Sequence, residues 1–151
     1  WSYSKMKSYV KNCAKAVLVM GMAIGGASLA DEGFAEELLR QRIWSGYEDG
    51  FAVRTATTAE LGQDEYRIFL VTLYSGNEYR IVGVGDDNIG NLDIVLHDAD
   101  GNTVEYDRTT DSQPAIEFTP SATATYFVVV HAREVTPEGG TAGVGMAVTY
   151  K

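Results

Sequence analysis

From Phe51 onward the apolar residues of this 151-residue chain recur at every second position in short runs, and no long stretch of helical period interrupts them. Phe69, Val71 and Leu73 mark one run, Tyr79 and Ile81 open the next, and Leu92, Ile94 and Leu96 form a third. Thr103 to Tyr106, Ala115 to Phe118, Tyr126-Val128-Val130 and Val144-Met146-Val148 continue the series. Successive side chains point to opposite faces of a strand, so each run reads as a strand with one face toward a core. The connections carry turn chemistry at Ser75-Gly76-Asn77, Asp100-Gly101-Asn102, Pro120-Ser121 and Glu138-Gly139-Gly140. Short strands with turns roughly every 8 to 12 residues predict an all-β, antiparallel sandwich of seven or eight strands. A parallel α/β sheet would need intervening helices and is disfavoured.

The sandwich is assigned to residues 51–151, behind an amphipathic helix and connector at residues 31–50 and a leader at residues 1–30. The helix is expected from Asp31 to Trp44, with Phe34, Ala35, Leu38, Leu39 and Ile43 at helical spacing and Ser45-Gly46 as its stop. It is expected to pack across an open end or edge of the sandwich, with partner binding as the alternative. The leader has the layout of a cleavable signal peptide: Met6, Lys7, Lys11 and Lys15, then apolar Ala16 to Ala27, then Ser28-Leu29-Ala30 before Asp31. Its apolar stretch is about a dozen residues, against roughly 20 for a bilayer-spanning helix, so cleavage and no stable membrane insertion are expected. Trp1 to Lys5 precede the expected start methionine and read as upstream translated sequence or an added remnant.

Cleavage would remove four of the 12 basic residues and none of the 21 acids, leaving eight cations and a net charge of −13. Nucleic acid demands clustered Lys and Arg and is excluded as a partner on this balance. The single cysteine, Cys13, lies in the leader, so an oxidising compartment leaves the remainder untouched. A periplasmic or extracellular location follows from these readings.

Asp64 to Leu73 with Gly76 to Ile81, Asn91 to Asn102, and Phe118-Thr119-Pro120 followed by Tyr126 to Val130 together resemble bacterial pre-peptidase C-terminal domains. The resemblance runs over about Asp64 to Tyr150 and implies a jelly-roll-like sandwich of the kind appended to secreted proteases and other exported enzymes. It further implies a binding or accessory role, in a group that includes collagen-binding and carbohydrate-associated modules, some with calcium near the strand ends. This sequence departs from the usual arrangement in having a helix of about fourteen residues where a protease would stand, and Ser121 to Thr125 lack the glycine often found before the tyrosine.

Several constellations are candidates for chemistry. Asp86, Asp87, Asp93, Asp98 and Asp100, with Asn88, Asn91 and Asn102 beside them, offer oxygen ligands to a hard cation such as Ca2+, which takes roughly six to eight. The spacing is not that of an EF-hand, because glycine falls four places into the segment from Asp98 and Thr109 takes the twelfth. The bland reading makes Asp98 to Asn102 a hairpin turn and Asp86 to Asn91 an exposed loop. His97 and His131 alternate away from the core and could hold zinc only with carboxylate help, for instance from Asp93. No Gly-x-Ser-x-Gly elbow is present, and Gly83-Val84-Gly85-Asp86-Asp87-Asn88 lacks the third glycine of a dinucleotide loop. Tyr74 and Tyr106, near turns, are the candidate surface aromatics for a polysaccharide or protein ligand. The combined expectation is an exported, non-catalytic binding or accessory module, possessing no cofactor other than a candidate calcium ion. The alternatives are a structural or self-assembling envelope protein and a small secreted hydrolase.

Overall fold

A computed structural model of the chain describes residues 29–151. The expected leader, apart from Leu29 and Ala30, lies outside the described residues. A helix, α1 (Leu29–Glu48), is followed by eight strands: β1 (Ala52–Gly62), β2 (Tyr66–Leu73), β3 (Tyr79–Gly85), β4 (Ile89–Asp98), β5 (Thr103–Asp107), β6 (Ala115–Phe118), β7 (Ala124–Val135) and β8 (Thr141–Tyr150). The first sheet has the order β1-β8-β3-β6 and the second β2-β7-β4-β5, with every pairing antiparallel.

Each strand of the first half pairs with its mirror-image partner from the second: β1 with β8, β2 with β7, β3 with β6, β4 with β5. This is one long hairpin with its tip between β4 and β5, rolled so that β3 also meets β8 and β4 meets β7. The result is the jelly-roll sandwich that the alternation and the resemblance implied. At the tip, Asp98 Oδ1 accepts from the amides of Asp100 and Asn102, and Gly101 takes the left-handed φ of 83° that suits glycine. Between the sheets, Leu73, Tyr79, Ile81, Leu92, Ile94, Leu96, Val128 and Val148 form the main core. The strand that the alternation did not single out is β1, an edge strand whose first half, Ala52 to Ala56, is exposed; its Ala and Thr residues carry little hydrophobic contrast.

Helix α1 is longer than expected and lies elsewhere. Gly46 does not end it, because Gly46 is buried against Phe51, with its Cβ position 3.9 Å from the Phe51 Cβ. The stop comes at Gly50, whose φ is 89°, with the Gly50 amide donating to Tyr47 O and the Phe51 amide to Gly46 O. The helix packs on β8, β1 and β3, so it covers the outer face of the first sheet and not an end or edge of the sandwich. Leu38, Leu39 and Ile43 meet Val82, Val84 and Ala147 there. The approach is close because the outward positions of β8 are small: a Cβ on Gly145 would stand 3.0 Å from Val84 Cγ2 and 3.1 Å from Leu39 Cδ2. Arg80 of β3 fastens the far end, bonding Asp49 and Glu117 while lying 4.2 Å over the Phe51 ring.

A branched side chain at position 145 must therefore push the helix off the sheet. Gly145→Val is expected to lower stability by about 1–3 kcal/mol, measured by urea unfolding, with the transition remaining cooperative because the inter-sheet core is untouched.

Candidate functional site

The outer face of the second sheet is built unlike a solvent face. Cross-strand register sets three rows on it: Tyr66, His131 and Asp93; Ile68, Val129, Val95 and Tyr106; Leu70, Phe127, His97 and Thr103. An antiparallel sheet with one wet face normally alternates apolar and polar. Here β7 is buried at every position from Tyr126 to Ala132, and β4 at every position from Leu92 to His97. Val95 and Val129 make the floor of the face, with Tyr66 and Ile68 packed against them. Leu70, 68% exposed, and Tyr106, 55% exposed, stand above it. Among the described elements, α1 is stacked on the first sheet and none on this face.

One end of the face is polar. Tyr66 meets the His131 ring edge-to-face at 6.1 Å, and His131 Nε2 lies 3.7 Å from Asp64 Oδ1. Asp64 holds a left-handed φ of 58°, a conformation that Asp tolerates better than most residues. Opposite His131, Asp93 is buried with its Oδ2 4.0 Å from Arg133 Nε. Arg108 lies 4.8 Å over the Tyr106 ring at the sheet edge. Burial pushes the His131 pKa down to about 4, helped by Arg133 and opposed by Asp64. Burial raises the Asp93 carboxyl, against the pull of Arg133 and Arg108. For Asp107, burial also acts upward, but bonds from Thr109 and the Ala115 amide outweigh it and hold the carboxyl below its ordinary range.

The five candidate calcium ligands are not brought to one point. Asp86 is buried and spends its oxygens on the amides of Asn88 and Gly143. Asp98 closes the β4–β5 turn, which is the bland reading of that segment. Asp93 points from the outer face of the second sheet, while Asp87 and Asp100 are exposed in separate turns. Among the described residues no three His, Cys, Asp or Glu side chains stand close enough to hold a metal ion. These five aspartates therefore do not form one calcium site. His97 and His131 share the outer face but do not meet, being four positions apart along neighbouring strands, on the order of 13 Å.

The candidate tyrosines also separate. Tyr106 belongs to the outer face of the second sheet. Tyr74 follows β2 at the opposite sheet edge, with its ring 5.0 Å under Arg54. Three strand spacings and six residues of rise put the two on the order of 25 Å apart. The residues that sequence reasoning passed over are Ile68, Leu70, Val95, Phe127 and Val129. Their signal was present: Phe127-Val128-Val129-Val130 is an unbroken apolar run, which marks a strand buried on both faces and not on one.

No family model matches the chain, and no curated protein does. Among solved structures it is similar to the pre-peptidase C-terminal domain of a collagenase from Bacillus anthracis, with a TM-score of 0.50 and 17% identity over 64% of this chain and 89% of that one. The periplasmic inhibitor of g-type lysozyme PliG from Aeromonas hydrophila aligns with a TM-score of 0.46 and 10% identity, over 66% of this chain and 88% of its own. The Yersinia pseudotuberculosis-derived mitogen gives 0.47 and 11%, over 66% and 84%. At these identities the likeness to the collagenase domain is one of fold, a β-sandwich of the pre-peptidase C-terminal type. No described helix is long and apolar enough to cross a membrane.

Two measurements probe the polar end and the aspartates. An unfolded histidine protonates near 6.5, whereas His131 in the fold resists to about 4. Stability should therefore be full above pH 6.5 and fall as pH drops through this window, by up to about 1.4 kcal/mol per unit. Asp93 has the opposite sign, since a raised folded pKa adds stability at low pH that is lost as pH rises. His131→Gln in the full-length chain should flatten the slope between pH 6.5 and 5.5 in urea titrations. Because Asp86 and Asp98 already accept amide donors within the fold and the candidate aspartates lie apart, thermal unfolding in EDTA and in millimolar calcium should coincide.

Proposed function

We propose that this chain is an exported, non-catalytic binding module that docks another exported protein on the outer face of the β2-β7-β4-β5 sheet. The observation that carries this reading is that Ile68, Leu70, Val95, Phe127 and Val129 occupy sheet positions that would be polar on a face meant for water. The arrangement also has the anatomy of a protein interface: an apolar centre, exposed Leu70 and Tyr106, and a rim of Asp64, Arg108 and Arg133. A polysaccharide would want the free face of Tyr106 to stack on, but the Arg108 guanidinium lies over that ring. A protein partner is the better fit. The opening of about 250 Å3 between α1 and the first sheet takes its polar lining from Arg42, Ser45, Arg80 and Thr149. Export rests on the leader layout and on the acidic balance it leaves behind.

The test is a photo-crosslinking amino acid placed at Leu70 in producing cells, with Val53 on edge strand β1 as the control position. A discrete protein adduct is expected from position 70 and none from 53. Adding Tyr106→Asp should cut the yield about tenfold, since an exposed aromatic at an interface centre commonly carries that much. Equal adducts from both positions, indifference to Tyr106→Asp, or retention on insoluble polysaccharide without any protein adduct would each overturn the reading.

A further inference from the structure

Two four-stranded sheets present four edges, β1 and β6 in the first and β2 and β5 in the second, and three of them resist the addition of another strand. β1 has a register shift between Val53 and Thr55, with Arg54 exposed there. β5 holds Glu105 and Asp107 within five residues, and β6 is four residues long between Pro114 and Pro120. Bulges, charges, prolines and shortness are the means by which natural edges refuse a partner strand. β2 is built otherwise. It runs eight residues in unbroken register with β7, from Tyr66↔His131 to Leu73↔Ala124, without glycine or proline and with Arg67 as its single charge. Among the described residues no strand pairs with its other side, and that side is open, since Arg67 is exposed and Leu70 is 68% exposed. The phase of the ladder fixes which backbone groups face outward. The Ala132 amide donates to Glu65 O at 2.9 Å, and bonded pairs alternate along an antiparallel ladder. Arg67, Phe69, Val71 and Leu73 therefore turn their amides and carbonyls to β7, while Ile68, Leu70 and Thr72 turn theirs to the open edge.

We infer that a second copy of this chain pairs with the open edge, β2 antiparallel to β2 about a two-fold axis through Phe69, joining the two second sheets into one. The ladder phase selects this register. Ile68 comes opposite Leu70 of the second copy and Leu70 opposite its Ile68, each pair exchanging two ladder bonds, and no other two-fold register engages as many of the outward groups. The side chains agree with it. Leu70 is covered by an apolar neighbour, and on the core side Phe69 stands against Phe69 of the second copy, an aromatic cross-strand pair. Charge favours a copy as the occupant, because Arg67 falls opposite Val71 of the second copy and about 14 Å from its own counterpart. The same operation on β5 would set Glu105 against Glu105. One strand edge, about 27 Å long, offers less than the roughly 800 Å2 per partner of a standard interface, so the pair is a weak one. The contact uses the edge of the sheet and stands apart from the docking reading.

The experiment is light scattering of the full-length chain from about 1 μM to about 1 mM. The mass should rise from one chain toward two, with a midpoint on the order of 0.1 mM, and stop there, because a two-fold pair is closed. Leu70→Lys and Leu70→Glu, both at a solvent-facing position, should each weaken association about tenfold, through lost apolar cover and through like charges set diagonally across the seam, roughly 7–8 Å apart. An equal mixture of the two variants should associate several-fold more tightly than either alone, a recovery that a loss of folding would not give. A mass of one chain up to about 1 mM, growth beyond two chains, association indifferent to Leu70→Lys, or a mixture no tighter than its components would each overturn the inference.

Discussion

The central strands of both sheets have no face to give to water. Residues Ala142 to Thr149 of β8 and Tyr126 to Ala132 of β7 are buried at every position, whereas a sandwich strand ordinarily buries alternate residues. One side of each strand is accounted for by the core between the sheets. The other side requires a second cover on each sheet, and the side chains there specify what kind. On β8 the outward residues are Gly143, Gly145 and Ala147, small enough for a helix backbone to approach, and α1 does so through Leu39. On β7 they are Phe127, Val129 and His131, which hold any backbone at a distance and favour contact between side chains. The distribution of small and large residues thus places the helix on one sheet and gives the other a face of large side chains.

The jelly-roll winding fixes where that surface can be. Because β4 and β7 pair with each other and are flanked by β5 and β2, the rows through Val95 and Val129 cross the middle of the sheet. Positions held by ladder bonds on both sides are pre-ordered, so a partner meeting them loses little conformational entropy. The turns, by contrast, have spent their polar groups on themselves. Asp98 and Asp86 accept backbone amides, and Asp107 and Asp111 share Thr109 Oγ1. An acid-rich loop therefore need not be an ion site.

How legible this was differed by level. Alternation placed seven of the eight strands, and the turn at Asp98 to Asn102 could be read from its residue types. β1 escaped because Ala and Thr give no contrast. The helix stop was misplaced because Gly46 and Gly50 are indistinguishable as residue types, and only the contact with Phe51 and the positive φ tell them apart. The calcium expectation treated closeness in sequence as closeness in space. In the fold, Asp86 sits in the β3–β4 connection and accepts from the amide of Gly143 in the first sheet, while Asp93 lies on β4 of the second sheet and faces Arg133. The apolar outer face of the second sheet was the most readable of the missed features, since the run from Phe127 to Val130 violates the alternation used everywhere else.

The polar end of that face sharpens the argument about purpose. A strand position in the middle of an apolar sheet is most stably filled by a β-branched residue, and β4 has one at Val95. At Asn91 and Asp93 the same strand instead carries an amide and a carboxylate whose inner oxygens find no donor, each costing about 1–3 kcal/mol against a satisfied or apolar alternative. These two positions mark where the apolar row of β4 gives way to the polar end of the sheet, beside the edge-to-face contact of Tyr66 with His131.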